Sequence, residues 1–376
     1  MNRTDLFKTL DALVGAPLCR VMAWLPSLAK DGGSTPDTRP ETVRRILLIR
    51  PGGMGDMVLL LPAVRLLQQR FPSAELTLVC ERRNLDVLRL AQLDRCALLY
   101  DSNPLRFLRQ LLRARYDVAV DSEQFHHFSA VFALLSRARV RIGFKINPLR
   151  NPLYTHLVNY APDGPEGSEF LRLLGPLGIR SETPPMSRLA TGAPPEFPAA
   201  VRDEIARTAS RGGLVVIHPG ASTGYKHWPA KSFVELALRL DRDLSLLPVF
   251  AGDAGDRPSA ERIREAVGRA GGRALSFAGR LSLAETAAVL RRARLFVGTD
   301  SGLAHLAVAL EAPTVVLFGP SDAKKWGATD ARHAVVQKDL PCAPCFIFGY
   351  HKPCRSVACM QQISVDDVLE ACRRVL

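Results

Sequence analysis

Short apolar runs and segments of helical period alternate along most of this chain, and that alternation restricts the fold more than any other feature. Runs at 46–49, 76–80, 97–100 and 117–121 have the length and the Ile/Leu/Val content of strands covered on both faces. Helical patterns at 57–70, 84–92, 105–114 and 124–137 separate them. Such alternation predicts a parallel sheet with crossover helices. It lapses over 180–199, where Pro184, Pro185, Pro194, Pro195 and Pro198 occur with no periodicity, the character of an interdomain linker. It resumes with strands predicted at 214–218, 246–251, 274–277, 294–298 and 314–318 and helices at 231–242, 258–269, 283–292 and 302–310. A chain of 376 residues accommodates two such α/β domains. We place an N-terminal helix and linker at 1–43 and the two domains at 44–195 and 196–376, with ligands expected between the halves.

Charge narrows the partners. A net charge of +13 favours anionic ones: nucleotides, phosphorylated glycolipid or an anionic membrane surface. The arginines are scattered rather than interleaved with aromatic residues, and no zinc-finger, RRM or KH pattern is present, so nucleic acid is not expected. No stretch approaches the ~20 apolar residues of a bilayer-spanning helix. The N-terminus lacks the order of basic, apolar and small residues that marks a signal peptide, which predicts a cytoplasmic protein. Residues 5–26 nevertheless show helical spacing of Leu6, Leu10, Leu13, Val14, Leu18, Val21, Met22 and Leu25, with Trp24 nearby and Pro17 positioned to kink the helix. A helix lying on a membrane and a helix packed on the protein's own surface both fit this pattern. Asp5 and Asp11 beside Lys8 and Arg20 give it a polar face that is not strongly basic. Residues 30–42 form a polar linker.

Three loops at predicted strand ends carry the chemistry. In the first, Ile46–Ile49 runs into Arg-Pro-Gly-Gly-Met-Gly-Asp, where Gly52, Gly53 and Gly55 let the backbone approach a ligand and Asp56 stands at the start of a helix. The Gly-Lys-Ser/Thr ending of a P-loop is missing, and Val58 stands where a dinucleotide fingerprint needs its third glycine. Glu81 imitates a ribose-binding acid, but Asp56 would point negative charge at a pyrophosphate. Asp56 is therefore a candidate base, or a simple helix cap. The second loop, His218 to Pro229, offers Ser222, Thr223 and Lys226 to an anion. In the third, Gly298 to His305, the amides of Ser301, Gly302 and Leu303 would open a helix and form an anion site. Asp300 suits sugar hydroxyls or a helix cap, while His305, a lone helical histidine, reads as structural by itself. Cys342, Cys345, Cys354 and Cys359 lie in one loop-rich stretch that can hold zinc, although their spacing departs from the common paired forms. Cys19, Cys80, Cys96 and Cys372 read as small hydrophobic residues.

These motifs taken together resemble the ADP-heptose:lipopolysaccharide heptosyltransferases and their relatives in glycosyltransferase family 9, over nearly everything from Arg45 onward. The loop ending at Asp56 with its following Leu-Pro-Ala carries the resemblance, as do Lys226-His227-Trp228-Pro229, Thr299 to Leu306, Leu317 to Asp322 and Trp326-Gly327. The resemblance implies a GT-B fold of two Rossmann-like domains facing a cleft, with acceptor on the N-terminal side and nucleotide sugar on the C-terminal side. It also implies inverting, metal-independent transfer with no cofactor, to a lipopolysaccharide core or lipid A acceptor, by a protein in peripheral contact with the inner face of the cytoplasmic membrane. Asp56 would be the general base, Lys226 would bind the donor phosphates, and Asp300 would hold the donor sugar. The amides around Ser301, Gly302 and Leu303 would meet the diphosphate, with Ser222, Thr223 and His305 among the donor-binding residues. Pro51-Gly52-Gly53 replaces a serine-rich turn common in the family, and Asp300-Ser301-Gly302 replaces the more usual Asp-Thr-Gly. Those departures leave open another nucleotide sugar or acceptor within the family, and a nucleotide-sugar epimerase of GT-B type is the rival from another class.

Overall fold

A computed structural model describes residues 9–24, 38–180, 189, 198–208, 212–347, 350–351, 354 and 356–376. Leu6, Leu25, most of the 30–42 linker and nearly all of the Pro-rich stretch at 180–199 lie outside the described residues. The chain divides into two compact units, Met1–Pro185 and Met186–Leu376.

The first unit is built on six parallel strands: β1 (Arg45–Ile49), β2 (Glu75–Cys80), β3 (Ala97–Leu99), β4 (Val118–Asp121), β5 (Val140–Phe144) and β6 (His156–Val158). Their order is β3-β2-β1-β4-β5-β6, the Rossmann arrangement. The four predicted strands are present, and β5 and β6 join them. Arg141 and Gly143 disguise β5, since a cation and a glycine interrupt its apolar run. Arg141 is nonetheless buried, because its guanidinium donates to the carbonyls of Leu153 and Ala138. Gly143 is required by the Tyr154 ring, whose carbons would stand 2.5 Å from a Cβ at that position.

Helices cover both faces. On one side, a π-helical turn at Asp11–Gly15 leads into α1 (Ala16–Ala23). Pro17 has no N–H to give the preceding turn, and the wider turn ahead of it accommodates that loss without a break. α2 (Met54–Arg70) continues from the Gly-rich loop, α3 (Pro104–Ala114) is capped by the Asn103 side chain, and α4 is His127–Leu135. Cys19 of α1, Phe107 and Leu111 of α3, and Ala130, Val131 and Leu134 of α4 share one apolar cluster with Leu47 and Ile49 of β1. Asp11 does not lie on a polar outer face as its helical position suggested. It is buried and accepts the N–H groups of His127 and Phe128, capping α4 from a distant part of the chain.

The second unit repeats the plan with β7 (Leu214–His218), β8 (Leu247–Phe250), β9 (Leu275–Ser276), β10 (Ala293–Thr299), β11 (Thr314–Phe318) and β12 (His333–Gln337), all parallel. The order is β12-β11-β10-β7-β8-β9, the same topology when counted from its own first strand. Sequence patterning does not reveal β12, an edge strand flanked by polar residues. Helix α5 (Ala230–Leu244) packs beside the C-terminal helix α6 (Val365–Val375). Trp228, just ahead of α5, donates its indole N–H to the Ile363 carbonyl and meets Phe233 edge-on at 4.9 Å. Both sheets reverse strand order beside their first strand, between β1 and β4 and between β7 and β10. Ligands of open α/β sheets bind beyond the carboxyl ends of such strands.

Candidate active site

At the first switch point the loop after β1 is rigidly held. Gly52 adopts a φ of +147°, a conformation that an L side chain rarely takes. Buried Asn84 donates to the carbonyls of Gly52 and Gly53 at 3.3 and 3.2 Å, tying the loop to the end of β2. Gly53 is the N-cap of α2, and Asp56 stands in the helix's first turn with Gly55 between them. One Asp56 oxygen accepts the Gly53 N–H at 3.1 Å, so the capping role is real. Its other oxygen is paired at 2.7 Å with Arg50, and the carboxylate remains 22% exposed.

Arg50 itself is buried. Its guanidinium donates to the Ser122 carbonyl and the Gln124 side chain beyond β4 and lies 4.9 Å over the Phe170 ring. Gln124 in turn hydrogen-bonds Glu166, which accepts from the Tyr160 hydroxyl. Asp56 is therefore fixed from both sides, by a helix amide and by an arginine anchored across the switch point. Glu81 is occupied elsewhere, accepting from the Tyr100 hydroxyl at 2.7 Å and pairing with Arg83.

At the second switch point two predicted residues meet directly. The Lys226 ammonium donates to Asp300 at 2.6 Å, and both side chains are buried. Burial pushes the Asp300 carboxyl up, but the Lys226 charge beside it, and then His305, outweigh that and hold it below the usual carboxylate range. His305 stands 3.9 Å from the other Asp300 oxygen and edge-on to Trp326. Lys226 also lies 4.6 Å over the Phe346 ring. Ser301 is the N-cap of an eight-residue helix, Gly302–Ala309, whose first amides are those of Gly302 and Leu303.

The Ser301 hydroxyl does not cap that helix. It meets His218 at 3.1 Å, and the opposite nitrogen of His218 meets Asp256 at 3.2 Å. Thr299 donates to the Gly220 carbonyl at 2.6 Å, joining the ends of β7 and β10. Ser222 is exposed and Thr223 half-buried on the short turn leading to Lys226. The structure thus gathers Lys226, Asp300, Ser301 and His305 into one constellation, and leaves Ser222 and Thr223 at the outer part of the same loop.

Four contributors escaped sequence reasoning. Arg50 and Asn84 hold the first loop, Asp256 steadies His218, and Phe346 underlies Lys226. Only Arg50 carried a signal, a cation placed between a buried strand and a glycine turn. Phe346 comes from the cysteine-bearing stretch, which is bound to the site by the amides of Cys345 and Phe346 donating to the Pro320 carbonyl. Within that stretch the amides of Val357 and Ser356 hold the Cys354 thiol below its ordinary pKa. Among the described residues no three His, Cys, Asp or Glu side chains are grouped as a metal ion requires.

Two parallel sheets of Rossmann order, each presenting charged side chains at its switch point, give the architecture of GT-B proteins. The chain belongs to glycosyltransferase family 9 (heptosyltransferase), whose family model matches residues 105–354. It is 26% identical over 324 residues to lipopolysaccharide heptosyltransferase 1 of Pseudomonas aeruginosa, covering 80% of this chain and 86% of that protein. Among solved structures it resembles the ADP-heptose lipopolysaccharide heptosyltransferase II of E. coli, with a TM-score of 0.65 at 20% identity over 88% of this chain and 98% of the other. It also resembles the E. coli heptosyltransferase WaaC with ADP-2-deoxy-2-fluoro heptose, with a TM-score of 0.63 at 19% identity over 88% and 99%.

Proposed function

We propose that this protein transfers a heptose, or a closely related sugar, from an ADP-sugar to the core of lipopolysaccharide at the cytoplasmic face of the inner membrane, with inversion at the anomeric carbon. The buried Lys226–Asp300 pair at the mouth of the Gly302–Ala309 helix carries this reading. An ammonium and a row of helix amides suit the negative charge that grows on a departing diphosphate. The ligand named with WaaC, a fluorinated ADP-heptose, supports the choice of donor.

In this reading Asp56 takes the proton of the acceptor hydroxyl as its oxygen forms a bond to the anomeric carbon. The bond from that carbon to the diphosphate breaks in the same displacement, and its electron pair leaves on the phosphate oxygen. Asp300, kept ionised by Lys226, accepts hydrogen bonds from donor-sugar hydroxyls. Lys226 and the helix amides take the role that a divalent cation fills in other transferases, so turnover should survive EDTA. A screen of ADP-, UDP-, GDP- and dTDP-sugars with and without truncated lipopolysaccharide acceptors tests the assignment. Release of ADP that depends on acceptor is the expected result. Release from another nucleotide sugar alone, or sugar epimerised without acceptor, would overturn it.

A further inference from the structure

The helical segment at 9–24 is apolar on two opposite sides. Its inner side, with Gly15, Cys19 and the partly buried Leu18 and Met22, packs onto the first unit. Its outer side carries Leu10, Leu13, Val14, Pro17, Val21 and Trp24, a stripe at helical spacing that nothing in the described residues covers. Leu13 is 70% and Trp24 84% exposed, far beyond what a monomer's surface requires of large apolar side chains. The only acid of the segment, Asp11, is turned inward onto α4, which removes the negative charge that its sequence position suggested for the outer face. Arg20 remains outside.

Helix α3 lies over the same face of the first sheet, sharing the cluster that holds α1. Its outer side adds Leu105, at 82% exposure, and the exposed cations Arg106, Arg109 and Arg113, with no acidic residue anywhere in the helix. Apolar side chains flanked by arginines match the boundary between acyl chains and anionic headgroups. Six side chains on one helix fall well short of the roughly 20–30 residues per partner of a stable protein interface.

We propose that the outer faces of residues 9–24 and of α3 form a docking surface for an anionic phospholipid bilayer, with Leu13, Val21 and Trp24 entering the acyl boundary and Arg106, Arg109 and Arg113 meeting headgroups. The inference deepens the functional reading above, because it rests on an acceptor that is embedded in a membrane. The surface holds the first unit at the bilayer, where such an acceptor presents its sugars.

The test uses full-length protein and vesicles of phosphatidylethanolamine with phosphatidylglycerol, against vesicles of phosphatidylcholine alone. Wild type should sediment with the anionic vesicles and show a blue shift of Trp24 emission, Trp228 being already buried and Trp326 lying half-buried in the second unit. The double variant Leu13→Glu/Val21→Glu should lose vesicle affinity by about tenfold or more. Arg106→Glu/Arg109→Glu/Arg113→Glu should lose the preference for anionic lipid. Trp24→Ala, a milder change at an exposed position, should keep the wild-type melting temperature and abolish the emission shift.

All three variants should turn over a delipidated, truncated acceptor at the wild-type rate and fall behind on acceptor embedded in vesicles. Wild type that ignores anionic vesicles, or variants that bind them equally well, would overturn the surface. So would a dimer that the double variant dissolves, since the face would then belong to a second copy. Vesicle binding without transfer to any lipopolysaccharide acceptor would overturn the functional reading and leave the surface standing.

Discussion

The two switch points sit on sheets of identical order and solve opposite electrostatic problems. In the first unit a carboxylate, Asp56, is held by an arginine and a helix amide and still reaches solvent. In the second a carboxylate, Asp300, is withdrawn from solvent and matched by a buried ammonium. The first arrangement leaves a carboxylate in contact with solvent, as the proposed proton transfer requires. The second buries a cation against its carboxylate at the start of a helix. One topology therefore carries a partly exposed carboxylate in one half and a buried ion pair beside a helix terminus in the other. The difference lies in the loops at the strand ends rather than in the sheets.

That contrast can be broken by mutation. Asp56→Asn should keep the fold and donor affinity, because an amide oxygen still caps α2, while kcat falls by roughly 10²–10⁴. Calorimetric donor binding beside steady-state turnover separates the two. Lys226→Met should behave differently, losing about 10²-fold in kcat/KM for donor. It should also lose about 3 kcal/mol of stability in denaturant unfolding, since Asp300 is left buried and unpaired. Lys226→Met/Asp300→Leu should regain the stability without regaining activity; recovery of both would erase the distinction between the sites.

Arg50→Lys keeps the charge but loses the fork that spans Asp56, Ser122 and Gln124, and should cost about tenfold in kcat with donor binding unchanged. Gly52→Ala should destabilise by about 1 kcal/mol through backbone strain at φ +147°. The smallest effect is one of pH. Burial pushes the Asp11 carboxyl up, but His126 close by and the amides of Phe128 and His127 prevail and lower it from 3.8 to about 2. Its folded pKa lies below the unfolded one, so its contribution is complete above about pH 4 and is lost as pH falls through about 2. Proteolysis of the 9–24 segment at graded acidity should show that release before the sheets unfold.

Much of the fold was legible because buried parallel strands announce themselves as apolar runs, as at 214–218 and 314–318, where expectation and structure coincide. β5 was hidden because its polar and small residues answer to tertiary partners, Arg141 to two carbonyls and Gly143 to a tyrosine ring. The site residues stood in visible motifs, yet their pairing did not. Lys226 and Asp300 are 74 positions apart, and only strand order brings them within 2.6 Å. Asp11 misled for the same reason, since helical periodicity cannot tell which polar residue finds a partner 116 positions onward.

That last separation has a consequence in time. The amides that receive Asp11 belong to residues translated 116 positions later. At about 5–20 residues per second that is an interval of roughly 6–23 s. Until those residues are made, the inner apolar side of the segment 9–24 lacks the helix that receives it. Its landing place on the protein is made well after the segment itself, so the order of synthesis gives another apolar surface an earlier opportunity to hold it.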